Sequence, residues 1–386
     1  MIFYMKNNIV MPNYEHSILN TITSILKYYG VESKHNSLES LDNILSNKYR
    51  NVVFLVLDGL GEHILNNLSP NGFLYNHKVD LLTSVYPSTT TAALTTYYSG
   101  KPPYESGWIA WSQYFKEYGR AVDMLAHKES YKNDSLSGAK IDVFKDVVNY
   151  ETVFTKIEKA SNIPAYEIMP SYSDRRSNRT IKADSVDEII NNIKLLCDAP
   201  NEKFILAYCD NPDSTLHKYG AYSDEAKNFI QDTENKIKEL CSTLGDDTVL
   251  IISADHGHKD IEHVHTLLDY PQLQECFIMP PSLESRVISF WVKENMRNFF
   301  ETEFNKIFGD EFWLMTKEEF LDKHFLGFGV KHPKIDDFIG NYIALSTGSS
   351  IIRLETFLAE GKKVKKSTHC GLSKEEMEVP LIVIKS

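Results

Sequence analysis

The chain has 386 residues, 42% hydrophobic and 24% charged, enough to bury a sizeable core without disulfide staples. Its formal net charge of −12 argues against a nucleic-acid polymer as the partner. The five cysteines, Cys197, Cys209, Cys241, Cys276 and Cys370, are scattered and form no CxxC pair, and no apolar window of about 18 residues suggests a membrane span. With no signal-peptide pattern either, the chain reads as cytoplasmic, with free thiols.

In chain order, residues 15–29 carry apolar side chains at helical spacing, and Gly30 follows as a stop signal. Asn51–Leu57 (NVVFLVL) is the first of several continuous apolar runs. Lys203–Cys209 (KFILAYC), Thr248–Ala254 (TVLIISA) and Leu381–Ile384 (LIVI) are the others. Such runs suit strands covered on both faces, as in parallel sheets. Helical patterns lie between them at Val186–Leu196, Asp224–Leu240 and Glu294–Ile307. The alternation predicts an α/β fold with a mainly parallel sheet. Residues 104–185 are rich in aromatic and charged side chains and give no clear order of elements. The stretch 262–365 has its own strand patterns at Arg286–Val292 and Asn341–Ser346. It is expected to form an inserted cap subdomain, leaving 1–261 and 366–386 as the core.

Three of the strand candidates run into aspartate: Asp58-Gly59 after the first, Asp213 after YCDNP, and Asp255-His256-Gly257 after the third. Ligands of open α/β sheets bind beyond the carboxyl ends of the strands. Each aspartate alone reads as a turn residue or helix N-cap. Three at one sheet edge would repel one another unless cations neutralise them. His217 stands four residues after Asp213, so a helical turn would point both the same way. Asp255 and His256 are adjacent, and a bend at Gly257 would let both reach one site. Mixed Asp/His ligation suits zinc, with manganese second. The same loop adds His258, His263 and His265. They read as a metal loop of their own, as groups orienting the ligands, or as a solvated segment.

The segment SVYPSTTTAALTTYYSG, residues 84–100, predicts a helix that ends at Gly100. One of Ser88, Thr89 and Thr90 falls at its N-terminus. There a hydroxyl serves as an N-cap, or as a nucleophile where the helix start favours an anion. Spacing alone leaves the three open.

The motifs VVFLVLDGLG, SVYPSTTTAALTTYYSGKPPYESGW, YCDNPDSTLHKYG, SADHGH and THCGLSKEEMEVPLIV together resemble the type I phosphodiesterase/nucleotide pyrophosphatase family of the alkaline phosphatase superfamily. The resemblance spans roughly residues 50–386. It implies an alkaline-phosphatase-like three-layer α/β sandwich with a smaller inserted cap, and hydrolysis of phosphate diesters or pyrophosphates. By position it implies two divalent ions, most simply zinc. Asp58, Asp255 and His256 would hold one, joined by the nucleophile Thr90, and Asp213, His217 and His369 the other. Thr90 would attack phosphorus in line, and water would hydrolyse the phospho-threonine.

Two departures bear on the substrate. Ser106-Gly107 stands where nucleotide-cleaving members usually have His-Gly, and Trp111 replaces an asparagine that helps hold the phosphoryl oxygen. The expected partner is a small phosphate ester or nucleotide-like molecule, not a membrane. Trp108 and Trp111 are candidates for an apolar wall or stacking platform, core packing being the alternative. A phosphonoacetate-type phosphonate hydrolase and a phosphomonoesterase are rival readings. A dianionic substrate would want an extra cation, for which Lys101, Lys128, Arg175 and Arg176 are candidates. A metal-dependent phosphoglycerate mutase fits less well, because no large domain follows the nucleophile. A catalytically silent binding module has no physical need for six matched ligands. The sequence does not fix the oligomeric state.

Overall fold

The three longest apolar runs form the middle of one sheet. In the computed structural model, which describes residues 8–130, 142–173, 176–353 and 365–385, strands Thr248–Ser253, Asn51–Leu57 and Lys203–Cys209 lie side by side and parallel. Every residue in them is buried, as expected of strands covered on both faces. The sheet has seven strands in the order Lys78–Thr83, Glu378–Lys385, Thr248–Ser253, Asn51–Leu57, Lys203–Cys209, Ala165–Met169, Thr180–Lys182. Glu378–Lys385 is antiparallel to both neighbours, and the pairings among the other central strands are parallel.

Helices Ile18–Tyr28, Thr90–Ser99 and Val153–Ser161 pack together, as do Glu62–Leu68, Phe73–Asn76, Val186–Asp198 and Asp224–Thr243. One hydrophobic cluster joins both groups to the sheet, giving the three layers. The register puts Leu57 level with Cys209 and Val56 level with Ser253. The three aspartate-bearing turns therefore leave the sheet at the same edge.

A second, antiparallel sheet also has seven strands. Four come from the expected insertion: Phe312–Thr316, Tyr342–Ser346, Val287–Phe290 and Ser282–Glu284. The remaining three, Ser112–Phe115, Arg120–Asp123 and Lys128–Glu129, come from the segment without clear order. The second layer of structure is thus assembled from two stretches of chain. Residues 354–364 of the expected insertion lie outside the described residues. Among the described residues, no helix is long and apolar enough to cross a membrane.

Candidate metal centre

Asp58 follows the central strand directly, and Gly59 makes the turn at φ +76°. A Cβ at Gly59 would lie 3.0 Å from Cδ2 of His258 and 3.1 Å from Cα of Asp213, so glycine is needed for both conformation and space. Asp213 opens the helix Asp213–Tyr219, and His217 sits one turn later with Nε2 3.3 Å from Asp213 Oδ1. Asp255 uses Oδ1 to accept from Gly59 N and His256 N, both at 3.0 Å. Gly257 serves close packing rather than a bend through positive φ: a Cβ there would meet the Glu375 carbonyl at 2.0 Å.

His369 is distant in sequence. A two-stranded ladder pairs Lys259 with Thr368 and Asp260 with Ser367, setting His258 and His369 next to each other across it. Their rings lie 5.3 Å apart. The His369 loop is held by Glu376, whose Oε1 accepts from Gly371 N at 2.7 Å and Arg286 Nε at 2.6 Å. Arg286 and Glu376 are both fully buried.

The side chains fall into two groups whose potential ligand atoms lie within 4.8 Å of one another: Asp58, Asp255 and His256, and Asp213, His217, His258 and His369. The six residues that the resemblance implies as ligands all fall in these two groups. His258, left open by the sequence, joins the second group. His263 lies exposed on the neighbouring strand, and His265 contacts the Tyr270 hydroxyl at 3.0 Å.

Hydrogen-bond accounting shows what the groups lack. Nδ1 of His217 is 2.7 Å from Ser367 O, Nδ1 of His369 is 3.1 Å from Ser88 O, and Nδ1 of His256 is 3.1 Å from Gly257 O. A carbonyl cannot donate, so each Nδ1 carries a proton, and in the neutral form of each ring Nε2 turns its lone pair inward. These lone pairs face carboxylate oxygens: His256 Nε2 is 3.4 Å from Asp58 Oδ1 and 3.2 Å from Asp255 Oδ2. Those two oxygens are buried and accept no hydrogen bond from the described residues. Buried acceptors aimed at acceptors call for a cation between them. Lys365 behaves accordingly, its ammonium lying 2.7 Å from His217 Nε2.

Asp213, His217 and His369 tend toward their metal-binding forms, whereas Asp58 gives up its proton only when a cation is present. Burial, then the charges of Asp255 and Asp213, pushes the Asp58 carboxyl well above its usual value. Burial also raises Asp213, but when His217 and His258 carry protons their charge and the His258 hydrogen bond outweigh it and hold that carboxyl well below the usual range, the place a cation takes when the rings are neutral. Burial pushes His217 down to about 3 and His369 well below an ordinary imidazole. Ionised carboxylate and neutral imidazole are the forms that bind metal.

Of the three hydroxyls at the helix start, Ser88 donates to Gly371 O at 3.1 Å, and Thr89 is the N-cap residue of Thr90–Ser99 by backbone position, its hydroxyl making no capping hydrogen bond. Thr90 Oγ1 alone of the three stands in the first group, 3.2 Å from His256 Nε2 and 3.4 Å from Asp58 Oδ2. Tyr208, on strand Lys203–Cys209, donates its hydroxyl to that same Oδ2. Sequence reasoning missed it, because a tyrosine in a buried apolar strand looks like core.

The expected contact through Trp108 is corrected. Trp108 is 1% exposed and packs in the second hydrophobic cluster. Its indole N–H is taken up by Val148 O at 2.9 Å. Trp111 is 40% exposed. Its backbone N–H donates to Glu284 Oε1 at 2.8 Å, and Glu284 accepts from the Cys370 thiol, next to His369. Tyr172, 67% exposed, hydrogen-bonds Asp210. Of the proposed cations, Arg176 lies over the Phe144 ring at 4.6 Å, Lys128 is in the second sheet, and Arg175 lies outside the described residues.

A family model described as type I phosphodiesterase / nucleotide pyrophosphatase matches residues 52–315, well over half of the chain. Solved structures with the same fold include murine ectonucleotide pyrophosphatase/phosphodiesterase 5, an inactive form in complex with AMP. That match has 18% identity, 87% of each chain covered and a TM-score of 0.62. The human counterpart has 17% identity, the same coverage and the same score. Phosphonoacetate hydrolase from Sinorhizobium meliloti, in complex with phosphonoacetate, has 16% identity, 87% of this chain and 90% of that one covered, and a TM-score of 0.62. No curated protein matches the sequence significantly.

Proposed function

The chain belongs to the type I phosphodiesterase/nucleotide pyrophosphatase family, hydrolases of phosphoric ester bonds, and from that premise we propose that it is a two-metal phosphodiesterase or pyrophosphatase with Thr90 as nucleophile. Asp58, Asp255 and His256 would hold one ion beside Thr90, and Asp213, His217 and His369 the other. The observation that carries the reading is the convergence of buried, unserved carboxylate oxygens and Nε2 lone pairs around the Thr90 hydroxyl. Oxygen and imidazole donors favour zinc, with manganese second.

Two bound ions would neutralise the carboxylates and supply Lewis acidity at the phosphoryl oxygens. The chain's own residues do the rest. Thr90 Oγ1 loses its proton and bonds to phosphorus as the bond from phosphorus to the first leaving oxygen breaks, the proton passing through solvent to that oxygen; water then attacks phosphorus, the P–Oγ1 bond breaks, and Oγ1 regains a proton as the phosphate product leaves. The ten-residue helix Thr90–Ser99 turns its N-terminal amides and the positive end of its dipole toward that charge. Tyr208 fixes one Asp58 oxygen and leaves the other free. Trp111 and Tyr172, both exposed, suit an aryl or nucleotide-like leaving group.

One observation favours a phosphonate or monoester instead. Lys365 reaches the site, and an extra cation matches a dianionic substrate better than a diester. The free cysteines fit a cytoplasmic enzyme with a small-molecule substrate.

Rates measured side by side on an aryl diester, an aryl monoester, a dinucleotide and phosphonoacetate, with zinc and with manganese, test the proposal. The diester should turn over with zinc, stop with chelator and recover on re-addition. Preference for phosphonoacetate would select the second reading. No turnover of any substrate with either metal would contradict both.

A further inference from the structure

We infer that His258 is a fourth protein ligand of the Asp213 ion, so that this site offers three imidazoles and one carboxylate to a zinc-type divalent cation. The inference rests on the two-ion reading above and adds a donor that the motif resemblance does not supply.

Ser367 fixes the tautomer of His258. Its hydroxyl lies 2.7 Å from Leu216 O, and a carbonyl has no proton, so Ser367 donates there. His258 Nδ1 lies 3.0 Å from the same hydroxyl. With the serine proton directed at Leu216, Nδ1 must carry the proton of that contact, and Nε2 is left with its lone pair. That Nε2 faces Asp213 Oδ1 at 2.6 Å, a lone pair against a carboxylate oxygen at contact distance.

A single proton between them would satisfy this one pair, but the same oxygen is approached by more. His217 Nε2 lies 3.3 Å away and His369 Nε2 3.6 Å, each on a ring whose Nδ1 donates to a carbonyl. Three imidazole lone pairs and one carboxylate oxygen converge within 4.8 Å. One proton cannot serve four acceptors, whereas one cation can. His258 is also held as firmly as the others. It is fully buried, fixed at Nδ1 by Ser367, and pressed against Gly59 so closely that any Cβ there would crowd its ring.

Four protein donors complete a tetrahedral set. The Asp213 site would then be the tighter one, filling before the Asp58 site and meeting a phosphoryl oxygen only as a fifth donor, while the Asp58 site keeps room for the Thr90 hydroxyl and substrate.

The test uses the full chain and zinc. In an Asp58→Asn background, which cripples the other site, X-ray absorption at one zinc equivalent should count three imidazoles. A count of two would overturn the inference. Chelator competition should show the tighter zinc weakened roughly 10-fold or more in both His258→Ala and His258→Gln. Gln can donate to Asp213 in place of an imidazole N–H but is a poor zinc ligand. Wild-type affinity in His258→Gln would therefore assign His258 an orienting role and refute ligation. If the wild type binds no zinc at all, the two-ion reading itself fails, an outcome distinct from either of these.

Discussion

Replacing Tyr208 by Phe removes one O–H and leaves a ring of nearly the same volume in a position only 4% exposed. Asp58 Oδ2 then keeps only Thr90 Oγ1, at 3.4 Å, and its Oδ1 already has no hydrogen-bond partner. A hydrogen bond to a charged group contributes about 1.5–3 kcal/mol. Losing the group that orients a metal-binding carboxylate costs roughly 10–100-fold in affinity, equivalent to about 1.4–2.8 kcal/mol. The two estimates agree. Zinc affinity at the Asp58 site should therefore fall by about one to two decades while the Asp213 site is untouched. Titration against a chromophoric chelator separates the two constants. Unchanged affinity at both sites, or equal loss at both, would refute the reasoning.

Removing metal should destabilise the protein more at pH 8 than at pH 5. In the metal-free fold, burial and the neighbouring carboxylates raise Asp58 above its unfolded value. Its contribution is then fully present below about pH 4 and lost as pH rises through the raised value. Asp213 is held low, so its contribution is already complete above that range and does not mask the trend. Denaturant melts with and without chelator check this, and a chelator effect that shrinks at pH 8 would contradict it. Arg286→Met should leave Glu376 buried without its cation and lower stability by about 3–5 kcal/mol. The lower end is favoured because Gly371 N and Ser373 still donate to Glu376. A loss below about 1 kcal/mol would mean that the ion pair does not brace the His369 loop.

Much of the centre was legible because it sits on the most regular part of the fold. The strands ending at Asp58 and before Asp213 and Asp255 are buried throughout, so their sequences are continuous apolar runs, and the aspartates mark where those runs stop. His217 was legible for the same local reason, one helical turn from Asp213. Choosing Thr90 among three hydroxyls was not, since that depends on which one the helix start turns toward Asp58. His369 is brought in by a two-residue ladder joining segments over 100 residues apart, which leaves no periodic trace, and only the family resemblance named it. The strands at 112–129 are short, mostly half-buried and paired partly with distant strands, so their pattern gave nothing to read. Trp108 misled because an aromatic in a core and one in a pocket have the same local signature; the Val148 carbonyl that takes its N–H decides between them.

The most direct test of the account is turnover of an aryl phosphodiester by the zinc-loaded protein and its Thr90→Ala variant, measured side by side with metal content. The wild type should turn over, and the variant should keep two ions and its fold while losing on the order of a thousand-fold or more in rate. A variant that hydrolyses the diester at the parent rate would show that Thr90 is not the nucleophile.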